Sequence, residues 1–382
     1  MGALRRTLKH NTERTTMDWP KLITIVAALA LVAAVAQATF SIIDRPEPLE
    51  AIPAQWTQSG HSDRTSLSFT YWDDDDPPAI PEGCAKCHGL YGYLDYLGLD
   101  DRTPGQVDEP SPVGSVIYCY ACHSEPAHEL TSVVFPGDTE VTGLKWTEAN
   151  CMNCHSGRAS TVGVNEAIEG LEADTVDEEL EFINVHYGVA AATLMGAEVA
   201  VGYQYADREY VGRYAHAPDY ARCTDCHDAH SLKINPRDCA PCHANVVDYD
   251  DIYDIRELPT DHDGDGNTQK GILAEIEALH TALYAAIHYY AAEVVEDPIL
   301  YGDAFPYFFF KEIDAEEQDL TFPNRYLSWT PRLLRAAYNY HYVHQDPGAF
   351  SHNPEYVLQL LYDALDDLSE KVPVDMERYT RP

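Results

Sequence analysis

The sequence repeats one chemically specific pattern, in which two cysteines are separated by two residues and followed at once by a histidine. The copies are Cys84-Ala-Lys-Cys87-His88, Cys119-Tyr-Ala-Cys122-His123, Cys151-Met-Asn-Cys154-His155, Cys223-Thr-Asp-Cys226-His227 and Cys239-Ala-Pro-Cys242-His243. Such spacing places both thiols on one short turn, where they form thioethers to porphyrin vinyl groups. The following histidine then lies under the iron as its proximal ligand. The five motifs therefore predict five covalently attached c-type haems.

Zinc binding is the alternative for paired cysteines, because structural zinc sites also use this spacing. Zinc does not require a histidine directly after every second cysteine, whereas each of the five motifs has one. The motifs use all 10 cysteines, so none is left over. Haem attachment is therefore the interpretation that the motifs favour over zinc or disulfides.

Five irons need five further axial ligands on the opposite porphyrin faces. Methionine is scarce, since only Met195 and Met376 lie outside the N-terminal segment and the motifs, but twelve of the 17 histidines lie outside the motifs. Bis-histidine ligation is therefore expected, with low reduction potentials and closed, six-coordinate irons. The predicted distal ligands are His61, His186, His216, His230 and His352, with His128 as the first substitute.

Two of these assignments rest on local sequence. His230 is three residues beyond His227, too near to reach the other face of the same haem, so we expect it at a neighbouring one. His352 directly precedes Asn353-Pro354, a helix-starting pair that fixes the backbone. Four of the remaining histidines are expected to be surface or packed residues in helices: His280, His288, His341 and His344. His262 is expected in the acidic loop described below, and His10 in the cytoplasmic segment.

The N-terminus has the pattern of a membrane anchor. Residues 1–21 are basic, and the almost wholly apolar residues 22–43 would extend about 33 Å as a helix, enough to cross a bilayer core. The positive-inside rule places the basic segment in the cytoplasm and the haem-binding part outside. A cleaved signal peptide is the alternative, because Ala36-Gln37-Ala38 is a small-residue cleavage pattern. Residues 44–55, with three prolines, are expected to form a linker.

The chain is strongly acidic, with a formal net charge of -38 from 63 acidic and 25 basic residues. Haem propionates would add to this charge, so nucleic acid is excluded as a partner. Such an excess keeps a protein soluble where salt screens self-repulsion, which indicates a halophilic source. The alternative is an ordinary acidic exported protein.

After the last motif, a short acidic segment resembles the first half of a calcium-binding loop. Carboxylates alternate at Asp261, Asp263 and Asp265, and Gly266 allows the sharp turn. The twelfth loop position carries Ile272 instead of glutamate. The predicted calcium ligands are Asp261, Asp263, Asp265, Asn267 and Glu275, and a solvated acidic turn is the alternative.

The expected fold class is mainly α with much irregular structure. Residues 56–250 are predicted to form a pentahaem domain whose core is filled by haem, with short strands such as Thr131–Phe135 and a helix over Glu181–Leu194. Residues 251–382 are predicted to be the calcium-like loop and a helical part. There, apolar residues recur at three- and four-residue steps from Ile272 to Val294, over about Pro331–Val343, and after Asn353.

From about His61 to the C-terminus, the chain resembles exported multihaem c-type cytochromes of anaerobic bacteria and archaea. The segments that carry the resemblance are Gln58-Ser-Gly-His61, Cys151 to Thr161, Val185-His186-Tyr187, Cys223 to His230, and Phe350 to Tyr356. More distantly, His352-Asn-Pro354 is similar to the His-x-Pro stretch that supplies a distal ligand in pentahaem nitrite reductases and octahaem hydroxylamine oxidoreductases. The chain departs from nitrite reductases in lacking C-x-x-C-K, the motif of their catalytic haem.

The resemblance implies electron transfer and does not identify a substrate. Together with the predicted anchor, it leads us to expect electron transfer between a membrane donor and an external or periplasmic acceptor, with redox proteins as partners. Two alternatives remain. One is reduction of a small nitrogen or sulfur oxyanion at an open haem iron, which the acidic surface disfavours. The other is a protomer of a cytochrome filament or a subunit of a membrane redox complex, in which terminal haems contact the next protein.

Overall fold

The computed structural model describes residues 49–382 except 187, 218–219, 257 and 313–317. The predicted cytoplasmic segment 1–21 and membrane span 22–43 lie outside the described residues. Within the described part, no helix combines the length and apolar character needed to cross a bilayer. Residues Gln55–Pro382 form one unit. Secondary structure there is mainly helical with long irregular connections, as predicted from the sequence.

Short helices dominate the part of the chain that carries the motifs. They are α1 Ile52–Trp56, α2 Leu67–Thr70, α3 Glu82–His88, α4 Leu90–Tyr96, α5 Cys119–His123, α6 Glu125–Glu129, α7 Trp146–Cys154, α8 Thr161–Ile168, α9 Ala190–Met195, α10 Cys223–Cys226 and α11 Pro236–Cys239. Single turns of 3-10 helix cover Gly60–Ser62, Leu99–Asp101, Gly196–Glu198 and Asp250–Asp254. Glycine ends two of them, with Gly89 after α3 and Gly196 after α9, because glycine favours turns over continued helix.

Strands occur as three two-stranded antiparallel pairs. They are β1 Ala79–Ile80 with β2 Ser111–Pro112, β3 Ser132–Phe135 with β4 Thr139–Thr142, and β5 Ile299–Tyr301 with β6 Phe308–Phe310. The β3–β4 hairpin confirms the short strand predicted within Thr131–Phe135. Its register places Val133 opposite Val141, and Gly137 supplies a positive φ of 86° in the connecting turn.

The prediction of a helix over Glu181–Leu194 is wrong for most of that segment. Residues 181–186 and 188–189 are irregular, and of the predicted span only the part within Ala190–Met195 is helical. His186 and Gly188 have left-handed φ angles of 72° and 68°. The Asn184 side chain accepts a hydrogen bond from the His186 backbone N–H at 2.7 Å, which gives the backbone a local alternative to helical bonding.

Three longer helices form the C-terminal part, as their apolar periodicity predicts. They are α12 Ile272–Tyr290, α13 Pro331–His344 and α15 Pro354–Ser369, with the short α14 Ala349–His352 before the last. Thr330 caps α13 by accepting from the Leu333 N–H, and Asn353 caps α15 by accepting from the Tyr356 N–H. Both helices have proline at their first position, where its missing N–H costs no hydrogen bond.

These helices pack on one another and on the motif-bearing part through the largest buried apolar cluster. Leu283 of α12, Leu333 of α13 and Leu361 of α15 are fully buried in it, together with Val185 and Val189. Each such side chain contributes roughly 1.5–3 kcal/mol relative to remaining exposed. The cluster therefore holds the irregular segment around His186 against the helices.

Candidate haem sites

Helical turns bring the first cysteine and the histidine of each motif to one side of the backbone. In the last three motifs, the histidine N–H donates to the carbonyl of the cysteine four residues earlier: His155 to Cys151 at 3.0 Å, His227 to Cys223 at 2.9 Å and His243 to Cys239 at 2.9 Å. The first two motifs lie within α3 and α5. Residues four apart share a helix face, so the thiol and the imidazole point to the same side.

All ten cysteines are free thiols. A disulfide framework is therefore absent from the motif-bearing part of the described chain. The sulfurs remain available for the thioether bonds of c-type haem.

Each motif histidine faces the ring of a second histidine, and the five predicted distal ligands supply the partners. The ring-centre distances are 5.7 Å for His88–His186, 6.3 Å for His123–His230, 6.4 Å for His155–His61, 6.3 Å for His227–His352 and 6.0 Å for His243–His216. These pairs connect residues that are far apart in the sequence. The chain thus gathers ten imidazoles into five facing pairs.

The spacing of the pairs fits a metal ion between them. Imidazole nitrogen binds a first-row metal such as zinc at about 2.0–2.1 Å, so two imidazoles on opposite sides place their nitrogens about 4 Å and their ring centres about 6 Å apart. The His88 and His186 Nε2 atoms are 3.4 Å apart, slightly closer than this. Residues and geometry therefore fit bis-histidine haem iron, in which the imidazoles would occupy both axial positions.

Hydrogen bonds at the other ring nitrogen orient several of these imidazoles. His88 Nδ1 donates to the Ser68 carbonyl at 2.7 Å, and His227 Nδ1 donates to the Leu232 carbonyl at 3.2 Å. His352 Nδ1 lies 2.8 and 2.9 Å from the two carboxylate oxygens of Asp346. A proton held at Nδ1 leaves the Nε2 lone pair free for a metal.

Burial also favours the neutral, metal-binding form of two distal candidates. Desolvation and, to a smaller extent, the facing His155 together lower the pKa of His61 to about 4. Desolvation, with smaller contributions from His88 and Arg158, likewise lowers the pKa of His186 to about 4. Both imidazoles are therefore uncharged at neutral pH, which is the form that coordinates iron.

Two glycines allow the backbone to approach ligand rings closely. A Cβ at Gly188, where φ is +68°, would lie 2.9 Å from His155 Nδ1. A Cβ at Gly348 would lie 2.6 Å from His352 Cε1. Any larger residue at either position would displace the histidine ring beside it.

His123 has two candidate partners. His230 lies nearly parallel to it at 6.3 Å, and His128 lies nearly perpendicular at 5.8 Å. The His128 ring is also packed against Trp146 at 4.3 Å. Since His230 belongs to the segment after the fourth motif, its position beside His123 agrees with the expectation that it serves a neighbouring haem.

The helical histidines have other partners. His341 is fully buried, with Nδ1 accepting from the Tyr301 hydroxyl at 2.9 Å and Nε2 donating to Asn184 Oδ1 at 2.9 Å. His280 Nε2 donates to the Tyr340 carbonyl at 2.9 Å, and its ring stacks on that tyrosine at 4.1 Å. His288 lies edge-on to Tyr284, and His344 lies near Asp303. These contacts are those of packed or surface side chains.

The third motif lies against the first and the fourth. Cys87 Sγ lies 3.9 Å from the Asn153 carbonyl, and Cys154 Sγ lies 3.9 Å from the Lys86 carbonyl. Helix α10, which begins at Cys223, packs against α7, which ends at Cys154. Haems attached at these three motifs would therefore be neighbours.

The acidic loop brings together three of its five predicted calcium ligands. Oxygen atoms of Asp261, Asp263 and Asp265 lie within 4.8 Å of one another. Lys270 Nζ contacts Asp263 at 2.5 Å and Asp265 at 2.7 Å, so an ammonium neutralises part of the cluster.

The other two predicted calcium ligands have different partners. Asn267 Oδ1 accepts from the Gln269 N–H. Glu275 is fully buried and accepts from Arg256 at 2.6 Å and from the His262 N–H at 2.7 Å. Calcium binding stays a prediction.

The sequence reasoning missed Asp346, Ser68 and the two glycines beside ligand rings. Asp346 lies only six residues before His352, but an isolated aspartate after a helix carries no distinguishing pattern. Gly188 follows His186 by two residues, and a glycine inside a predicted helix is a signal for a different backbone.

Comparison with known proteins gives distant matches over most of the chain. A C-type polyheme cytochrome OmcC of Geobacter sulfurreducens is 25% identical over 384 residues, covering 82% of this chain and 46% of the relative. Two C-type polyheme cytochromes OmcB, from two strains of the same species, are 25% identical over 81% of this chain and 47% of each relative. The chain thus spans about half the length of these curated relatives. No family model and no solved structure matches it. The distant similarity, together with the motifs, supports a multihaem c-type cytochrome family for this protein.

Proposed function

We propose that this protein is an exported pentahaem c-type cytochrome that transfers electrons between a membrane donor and an external or periplasmic acceptor. The observation that carries the proposal is the pairing of every motif histidine with a second histidine at 5.7–6.4 Å. Haem supplies reversible one-electron chemistry, and the protein contributes spacing, ligation and a low-polarity surrounding. Two axial imidazoles leave an iron no position for a substrate, so the pairing favours electron transfer over catalysis.

Contacts between motifs support exchange of electrons among the five sites. Contacts of Cys87 with the third motif and of Cys154 with the first, and the packing of α10 on α7, bring the first, third and fourth motifs together. The fifth motif begins 16 residues after the fourth in the sequence, so its haem is tethered close by. His230, from the segment after the fourth motif, reaches the second.

The test is the intact mass and the spectrum of the purified holoprotein. After acid extraction, the mass should retain five haem additions; three or fewer would reject the motif assignment. Electron paramagnetic resonance should show only low-spin ferric haem, and the reduced spectrum should be unchanged by carbon monoxide. A haem that binds carbon monoxide would instead support the oxyanion reductase.

We further propose that the N-terminal apolar segment is an uncleaved anchor, because residues 22–43 are long enough to span a bilayer. N-terminal sequencing of the protein from its native membrane tests this. A mature chain that starts at Thr39 would identify a cleaved signal peptide instead. Filaments in micrographs of the purified protein would favour the cytochrome-wire alternative.

Calcium at Asp261, Asp263 and Asp265 is a separate proposal, supported by the convergence of their oxygens. A bound ion would have to displace Lys270 Nζ, which contacts two of the three carboxylates. The Lys270→Gln variant should therefore bind calcium more tightly than the wild type. Calorimetric titration with calcium after chelation measures this, and the absence of binding to both proteins would reject the site.

A further inference from the structure

We propose that Asp346 is a positioning residue that holds His352 as an axial ligand and lowers the reduction potential of the haem attached at Cys223 and Cys226. This inference rests on the proposed function, since it requires haem at the fourth motif with His227 and His352 as ligands. Asp346 would act through His352 without touching the iron.

Asp346 is a buried residue two positions after the end of α13. The residue is 4% exposed, and both its carboxylate oxygens lie within 2.9 Å of His352 Nδ1. The Gly348 N–H donates to Oδ1 at 3.2 Å. Because Gly348 has no Cβ, the His352 ring lies directly over its backbone and within reach of the carboxylate.

The charge of Asp346 is compensated differently from that of the other buried acidic residues in the described chain. Those four form ion pairs with a lysine or arginine: Glu148 with Arg213, Asp263 with Lys270, Glu275 with Arg256 and Asp363 with Arg381. The ion pair that the structure gives for Asp346 is with His352 alone. A buried carboxylate without a permanent cation is costly and is retained where it interacts with another positive centre. Ferric iron coordinated by His352 would be that centre.

The carboxylate acts on the iron in two ways. It accepts a hydrogen bond from the Nδ1–H of His352 and so makes Nε2 a more electron-rich ligand, as in carboxylate–histidine–metal arrangements. Its negative charge, in a medium of low polarity, also favours the ferric over the ferrous state. Both effects lower the reduction potential.

The other oriented ligands lack this charge. His88 and His227 donate from Nδ1 to backbone carbonyls, which are neutral acceptors. Within the fourth site, the two axial histidines are therefore unequal: one is oriented by a carbonyl and the other by a carboxylate. The potential of this haem should respond to the charge at position 346.

The experiment is a redox titration of the full-length holoprotein with dithionite and mediators, followed by electron paramagnetic resonance. Asp346→Asn retains an oxygen acceptor for His352 Nδ1 but removes the charge. It should leave every haem low-spin. One of the five reduction potentials should rise by at least 59 mV, which corresponds to a tenfold change in the equilibrium constant of a one-electron couple. Asp346→Ser, a second uncharged variant, should raise the same potential, whereas Asp346→Glu should not.

Asp363→Asn is the matched control. Asp363 is buried like Asp346, but its carboxylate lies 2.9 Å from the Arg381 guanidinium instead of beside a histidine pair. It should lower thermal stability and leave all five potentials unchanged. If Asp346→Asn and Asp346→Ser also leave the potentials unchanged, the proposal is wrong. It is equally wrong if the glutamate variant shifts the potential as much as the uncharged ones, because packing rather than charge would then be responsible.

Two measurements separate this failure from failure of the proposed function. Intact mass reports whether five haems are attached, which tests the cytochrome assignment itself. The His352→Ala variant should open one iron to carbon monoxide while retaining all five haems. Five closed irons in that variant would remove His352 as a ligand and overturn the role of Asp346, but would leave the pentahaem assignment intact.

Discussion

The Nε2 atoms of His88 and His186 lie 3.4 Å apart although 98 residues separate them in the sequence. His88 is fixed by α3 and by its Nδ1 bond to the Ser68 carbonyl. His186 is fixed by an irregular backbone with a positive φ of 72°. Backbone strain of this kind costs about 1–3 kcal/mol and persists only where contacts with the surrounding structure hold the backbone in place. Asn184, held by His341 at 2.9 Å, provides that support.

Replacing His186 by alanine should leave all five haems attached, because the thioether cysteines are untouched. It should open one iron, so that reduced protein binds one equivalent of carbon monoxide. The visible spectrum with and without carbon monoxide measures this. His288→Ala is the control, because that ring packs edge-on to Tyr284 and should leave every iron closed. Equal spectra for the two variants would contradict the pairing of His88 with His186.

The two histidines beside His123 can be distinguished in the same way. His230→Ala should open the haem of the second motif, whereas His128→Ala should leave it closed, because the His128 ring packs against Trp146. Carbon monoxide binding to the reduced single variants decides between them. The opposite result would make His128 the ligand and leave His230 as a loop residue.

The five motifs are predictable because each consists of adjacent residues, and the scarcity of methionine predicts that histidines face them. The C-terminal helices are predictable for a similar reason, since their apolar period and proline starts are local. The backbone from Asn184 to Gly188 was mispredicted as helix, because its conformation depends on contacts with His341 and the third motif. Asp346 was missed because its role appears only when the fold encloses it beside His352.

Gly348 should tolerate no side chain, because a Cβ there would lie 2.6 Å from His352 Cε1. Gly348→Ala should therefore displace the imidazole and give a high-spin signal from one haem by electron paramagnetic resonance. Gly163→Ala is the matched control, since its Cβ would meet nothing within 4 Å and it lies in α8. That substitution should raise stability by up to about 1 kcal/mol through helix propensity. An unchanged spin state in Gly348→Ala would show that His352 moves freely or is not a ligand.

The acidic loop and α12 are joined by a buried ion pair whose removal should be costly. Arg256 Nη1 lies 2.6 Å from Glu275, and the two side chains are 9% and 0% exposed. Arg256 also donates to the Lys270 carbonyl at 3.2 Å, while Glu275 accepts from the His262 N–H. Arg256→Met leaves a buried carboxylate without its cation, which typically costs about 3–5 kcal/mol.

The thermal unfolding midpoint of the holoprotein should therefore fall clearly in Arg256→Met. Arg102→Met is the control, because Arg102 pairs with Glu109 at the surface, where solvent weakens the attraction, and its midpoint should match the wild type. Restoring neutrality in the double variant Arg256→Met/Glu275→Gln should recover part of the loss, since an uncharged amide still accepts from the His262 N–H. If the double variant is less stable than Arg256→Met, the cost comes from lost packing of the arginine and not from the uncompensated charge of Glu275.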